Sequence, residues 1–141
     1  MRTLRAFPLA VLSLALLAAA CGSGGGESPA QAKASITTTW EKFFDPSIPV
    51  AQKPDLIQNG PKLKPVLETQ STNPVAKLLK ATVKSVVVKK DKADVRYSLV
   101  NAKTGDVLLP DSGGQALKID GKWKVSQSTF CGLVSAGGGH C

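Results

Sequence analysis

From Ser28 onward the apolar positions follow two different periods. Ile36, Trp40, Phe43 and Phe44 recur at helical spacing, on a stretch opened by Ser28-Pro29 and stopped by Asp45-Pro46. A serine before a proline is a good N-cap and first-turn pair, so this stretch predicts an amphipathic helix with one aromatic face. Thr37, Thr38 and Thr39 are poor helix formers, and burial of that face must therefore hold it together. A second helical segment is expected from Pro49 to Gln58, kinked or started late by Pro54 and closed by Asn59-Gly60. A third runs from Pro61 to about Thr69, with Pro65 inside it, and a short turn near Pro74 to Leu79 leads onward.

From Lys80 the period changes to two. A hairpin with its tip at Lys90-Asp91 sets Val86 opposite Val95, Val88 opposite Ala93 and Thr82 opposite Leu99. That gathers Val86, Val88, Val95, Tyr97 and Leu99 on one side and Ser85, Asp94, Arg96 and Ser98 on the other, as a half-buried antiparallel sheet requires. At Asp120-Gly121 a two-residue turn would send Leu117 and Trp123 to opposite faces. A three-residue turn, Ile119-Asp120-Gly121 with Gly121 left-handed, sets Leu117 opposite Trp123 and Lys118 opposite Lys122, and is the expected form. A short strand at Val107 to Leu109 completes a meander of about four strands. Helices followed by an antiparallel sheet make an α+β domain. Trp40, Phe43 and Phe44 are expected on the sheet face that bears Tyr97 and Trp123.

The N-terminus reads as an address. Arg2 and Arg5 precede an apolar run from Ala6 to Ala20, and fifteen of the first twenty residues are apolar. The run is too short for a permanent span, which needs roughly 20 apolar residues, and fits a cleaved secretory signal. Ala19-Ala20 followed by Cys21 resembles a bacterial lipobox, with the usual leucine displaced by one place to Leu17. Cys21 is thus the expected lipidation site, and ordinary secretion with a free or paired Cys21 is the alternative. Gly22-Ser23-Gly24-Gly25-Gly26-Glu27-Ser28 has the composition of a flexible tether. The chain divides into a signal peptide at 1–20, a tether at 21–31 and one α+β domain at 32–141, anchored to the outer face of the bacterial cell membrane.

Removing the signal changes the charge picture little. Sixteen basic against ten acidic side chains leave +6, which outside the cytoplasm points to anionic envelope material rather than nucleic acid. Lys84, Lys89, Lys90, Lys92, Lys118, Lys122 and Lys124 cluster near the hairpin tips. Edge protection and solubility explain them, and docking to anionic envelope material is the functional reading. Cys131 and Cys141, two remaining thiols in an oxidising compartment with Gly137-Gly138-Gly139 between them, are a disulfide candidate; the alternative is a buried free Cys131 with Cys141 loose at the terminus. With His140 they do not make a zinc site, which needs three or four convergent ligands. No metal or cofactor is expected.

Three segments carry a family resemblance: TWEKFFDP at Thr39–Pro46, AQKPDLIQNG at Ala51–Gly60 and DGKWKVSQSTFCGLV at Asp120–Val134. Together they resemble the low-molecular-weight secreted antigen family of mycobacteria and related actinobacteria. The resemblance implies the cone-shaped fold of the superfamily named for nuclear transport factor two, in which three helices wrap a strongly curved antiparallel sheet and can leave a cavity. It implies an exported protein of unassigned molecular function. Pro54, Pro65, the lipid anchor and Cys141 depart from the family pattern.

Candidate chemistry is sparse. His140 sits in a glycine tail, and Asp45, Asp91, Asp106, Asp111 and Asp120 occupy turns or ends, where turn chemistry explains them. Tyr97 and Glu41 are the only pocket polar groups on offer, and the serines lack a histidine to activate them. Gly113-Gly114 follows no strand-to-helix phosphate motif. The expectation is a non-enzymatic, monomeric envelope lipoprotein with a cone cavity lined by Trp40, Phe44, Tyr97 and Trp123 that takes a small apolar or amphipathic ligand. A protein-interaction domain with a filled core is the alternative, and a cone-fold isomerase or hydrolase using Tyr97 or Glu41 is the third.

Overall fold

The computed structural model describes residues 26–141; the expected signal peptide at 1–20, the expected lipidation site Cys21 and residues 22–25 lie outside the described residues. Helix α1 spans Pro29–Phe44. Ser28 caps it in a reciprocal box: its hydroxyl accepts from Gln31 N at 3.2 Å, and its own N–H donates to Gln31 Oε1 at 2.9 Å. Ala32, Ile36, Trp40 and Phe43 form the buried face, and the helix stops before Pro46, whose ring disfavours a helical residue ahead of it. The folded part therefore begins before the expected boundary at 32, because short polar residues that read as tether build the cap.

Where a second helix was expected over Pro49–Gln58, the chain forms a 3-10 helix at Val50–Leu56. Pro54 lacks an N–H and crowds the preceding turn, which an α-helix does not tolerate. Ile57 is extended instead and bridges Val125 in parallel. Asn59, at φ 56°, turns the chain directly into α2, Gly60–Thr72, which buries Leu63 and Leu67. A single 3-10 turn at Ala76–Leu78 leads to the sheet.

Strands β1 (Leu79–Lys89), β2 (Lys92–Asn101), β3 (Val107–Ile119) and β4 (Lys122–Val125) form one antiparallel meander in sequential order. Near the first turn the register is as expected, with Val86 opposite Val95 and Val88 opposite Ala93. A bulge between Val83 and Ser85 then shifts the rest by one, so Ala81 rather than Thr82 faces Leu99. The extra residue flips the parity of β1 and brings Ala81 to the same inner face as Val86. Ser98, expected in solvent, is buried because a bulge of β3 around Pro110 and Asp111 folds over it, and its hydroxyl accepts from Asp111 N at 3.4 Å.

The second hairpin corrects the sequence reading. Asp120 (φ 51°) and Gly121 (φ 75°) are both left-handed, the signature of a two-residue type I′ turn, and Lys118 pairs with Trp123 while Leu117 pairs with Lys124. A lysine can take the inner position because its ammonium, 5.7 Å from the centre of the Trp123 ring, also reaches an acceptor, Glu27, at 3.1 Å. Strand β3 is also far longer than the expected Val107–Leu109. Pro110 and the Gly113-Gly114 pair sit inside it.

Helix α3, Gln127–Ala136, was not anticipated; Ser126 caps it by accepting from Thr129 N, and Phe130 and Val134 one turn apart reach the core. The described part is thus an α+β unit whose helices pack on a bulged, curved four-stranded sheet. Trp40, Tyr97, Ile36, Ile57, Val95 and Val125 are its largest fully buried apolar side chains. No helix among the described residues is long and apolar enough to cross a membrane.

Candidate functional site

Three of the four expected cavity residues meet. The Trp40 ring lies 5.2 Å from Tyr97 and 6.1 Å from Phe44, and Phe44 stacks on Tyr97 at 5.9 Å with 19° between planes. Phe43 continues the cluster edge-on to Phe130 at 5.4 Å. Helix α1 supplies Trp40, Phe43 and Phe44, β2 supplies Tyr97 and α3 supplies Phe130, so the cluster joins three elements through tilted and edge-on aromatic contacts of the favoured kind.

The cluster is packed. Trp40 is 0% and Tyr97 1% exposed. The benzo edge of Trp40 presses on Gly114 so closely that a Cβ there would stand 2.8 Å from it and 2.7 Å from the Thr129 methyl. The Trp40 Nε1–H is buried without an acceptor among the described residues, at a cost of about 1–3 kcal/mol for such a donor. Two concavities are lined by none of these rings. One, of about 470 Å³, is a cleft lined by Gly114 and Thr129, the groups that meet Trp40, together with Arg96 of β2, Gln115 of β3 and Ser128 of α3. The other, of about 170 Å³, lies between the first 3-10 helix and α2. In the larger cleft both charged groups are already engaged: Arg96 grips Asp111 with two nitrogens at 3.1 and 2.6 Å, and Asp94 pairs with Lys89.

Trp123 stands apart from the cluster, at the entrance to α1. Its Nε1 donates to Glu27 Oε2 at 2.7 Å, the Lys118 ammonium reaches the same oxygen at 3.1 Å, and Ser35 Oγ donates to Glu27 Oε1 at 3.0 Å. The Trp123 hydrogen bond, followed by that of Lys118, holds the Glu27 carboxyl below its ordinary value. Because its folded value is depressed, the clamp's contribution is complete above the unfolded value and lost as pH falls through the folded one. The Trp123 indole N–H resonance should therefore move with a midpoint below pH 4.5, and Glu27→Gln should abolish that transition while leaving Trp40 unchanged.

The remaining polar candidates have structural partners. Glu41 reaches across to Val83 N at 3.5 Å, at the β1 bulge. Burial pushes the Tyr97 hydroxyl up to about 12, so at neutral pH it holds its proton. Lys53, which the sequence did not single out, donates to Phe43 O at 2.9 Å at the C-terminal end of α1, where a cation complements the helix dipole, and burial lowers its affinity for protons. No cluster of three or more metal-ligating side chains occurs among the described residues.

Cys131 and Cys141 are disulfide-bonded, with Cα atoms 5.5 Å apart, and Gly139 N donates to Val134 O at 2.8 Å, so the tail folds back on α3. Closing a loop of sequence separation 10 restrains the unfolded chain by roughly 2.5–3 kcal/mol in the chain-entropy account. The double variant Cys131→Ser/Cys141→Ser should lose about that much in urea unfolding, with Phe130 and Val134 losing protection first.

Residues 29–141 match the family described as low molecular weight antigen MTB12, C-terminal domain. Among solved structures, the chain is similar to a Campylobacter jejuni protein named as a candidate NTF2-like transpeptidase, at 12% identity and a TM-score of 0.42, over 64% of this chain and 92% of that one. No curated protein matches the sequence.

Proposed function

The chain belongs to the family of the low molecular weight antigen MTB12 C-terminal domain, and on that footing we propose that it is a non-enzymatic envelope lipoprotein, held outside the cell membrane by Cys21, that works through its surface. The observation that carries the surface reading is the filled interior. Trp40, fully buried and pressed against the Gly114 backbone, occupies the place where the aromatic residues meet. This favours the filled-core domain over the small-ligand reading of Trp40, Phe44, Tyr97 and Trp123. The non-enzymatic reading is supported by Glu41, whose carboxylate accepts from Val83 N at the β1 bulge, and by the burial of Tyr97 inside the core.

Anchoring is supported by the sequence alone, through Arg2, Arg5, the apolar run to Ala20 and Cys21. Several buried acyl chains, each methylene contributing about 0.8 kcal/mol, would make it stable. The test is mass spectrometry of the chain extracted from its own envelope. Acyl mass on the Cys21 peptide, absent from Cys21→Ser, and no stoichiometric small molecule in the native-state spectrum are the expected results. An unmodified Cys21 in the membrane fraction would overturn the anchor, and an apolar molecule retained one to one would overturn the filled-core reading.

A further inference from the structure

The contact of Glu27 with Trp123, Lys118 and Ser35 fixes where the chain enters the fold, beside the β3–β4 turn. The β1–β2 turn lies against the same place, because Lys118 N donates to Asp91 O at 2.8 Å and Lys92 pairs with Leu117. The same end of the sheet therefore carries the exposed Lys90, Lys92 and Lys122, the last two on the face opposite Lys118 and Trp123. Lys89 and Lys118 of the same end are engaged with Asp94 and Glu27, and Asp91 and Asp120 are the acidic groups left at the two turns. The opposite end carries the turn at 102–106, about ten strand residues or roughly 33 Å away.

Cys21 precedes Glu27 by six positions. Six residues cannot reach beyond about 20–22 Å however they are arranged. A membrane that holds Cys21 therefore holds the entry point of the domain within that distance, and the lysines beside it are the first part of the fold to meet the head groups.

We propose that this end of the sheet, with Lys90, Lys92 and Lys122 at the end where Glu27 enters, is a membrane-facing surface that docks on anionic lipid head groups. The inference rests on the anchoring of Cys21 proposed above and adds an orientation to it. Tether length and charge act together: the anchor brings the lysines within a few Debye lengths, about 8 Å each at physiological salt, and the head groups then select the upright pose.

The test uses the acylated chain in vesicles of phosphatidylcholine with and without phosphatidylglycerol. A fluorescent probe is attached through Asp91→Cys, which keeps all three lysines, or, as the distal control, Thr104→Cys, and a quencher is carried on the lipid head group. Quenching at position 91 should exceed that at 104 several-fold on anionic vesicles, shrink at high salt or on neutral vesicles, and fall to the distal level when Lys90→Glu and Lys92→Glu are added. Equal quenching at both positions in a chain that co-floats with vesicles would overturn the docking surface alone. So would a difference indifferent to lipid charge and to the two glutamates, or one abolished by a soluble polyanion but not created by phosphatidylglycerol. Failure to co-float would overturn the anchor itself and the orientation with it.

Discussion

Trp40→Ala is expected to remove about 3–5 kcal/mol of unfolding free energy, the range for truncating a large buried aromatic. The indole touches Tyr97, Phe44 and Gly114 at once, so its loss opens a void that the β2 and β3 backbones cannot collapse into. For a domain with about 5–15 kcal/mol in total this approaches unfolding at body temperature. Urea denaturation of the chain measures it, and an undiminished midpoint would mean that the cluster is not the centre of the core. Trp40→Phe is the informative companion. It removes less volume and also removes a buried N–H that has no acceptor, so it should cost no more than about 1–2 kcal/mol.

Gly60→Ala should be as damaging through a different mechanism. Gly60 begins α2 where the chain passes over the first 3-10 helix, and a Cβ on it would stand 1.8 Å from the Pro54 carbonyl oxygen and 2.5 Å from its carbon. Those are backbone atoms, so no rotamer relieves the clash; the junction of the two helices must separate, at about 3 kcal/mol or more. Gly132→Ala is the control for glycine replacement as such. It lies inside α3 with nothing within 4 Å of the added methyl, and should be stabilising by about 0.5–1 kcal/mol. A thermal melt of both variants beside the parent chain separates the two effects.

Much of this fold is legible because its signals are local. The Ser28-Pro29 start, the Ile36–Trp40–Phe43 stripe and the pairing of Val86 with Val95 follow from caps and periods, and all appear. What fails is what depends on a partner far along the chain. The bulge at Lys84 carries no compositional mark; its N-terminal neighbour Val83 is satisfied by Glu41, forty-two positions away. The β3–β4 turn was misjudged because Lys118 counts as an outward residue until Glu27 is known to receive it. Helix α3 was missed because Gly132 interrupts a short pattern of only two core residues, Phe130 and Val134.

The site divides in the same way. That Trp40, Phe44 and Tyr97 meet was readable from their periods. That Trp40 presses on the sheet backbone was not, since it depends on Gly114 from β3, a strand expected to end at Leu109. Trp123 was placed with the others because it too faces inward, yet it serves the entry of the chain, and Glu27 looked like a spacer residue in a run of glycines.

Strand β3 has a further consequence. Strand β4 pairs only with Ala116–Ile119, so Val107 to Gly114 have no strand on their outer side among the described residues, and Val107 and Leu108 are about half exposed. Copies of a chain anchored as proposed share a two-dimensional surface, where lateral encounters are far more frequent than in solution. A straight apolar edge would let them zip together into ribbons. The two register shifts between Tyr97 and Val100, with Pro110 and the left-handed Asp111 inside the longer one, leave that edge crooked and short of donors. The same irregularity that hid β3 from the sequence pattern works against edge-to-edge pairing between neighbouring copies.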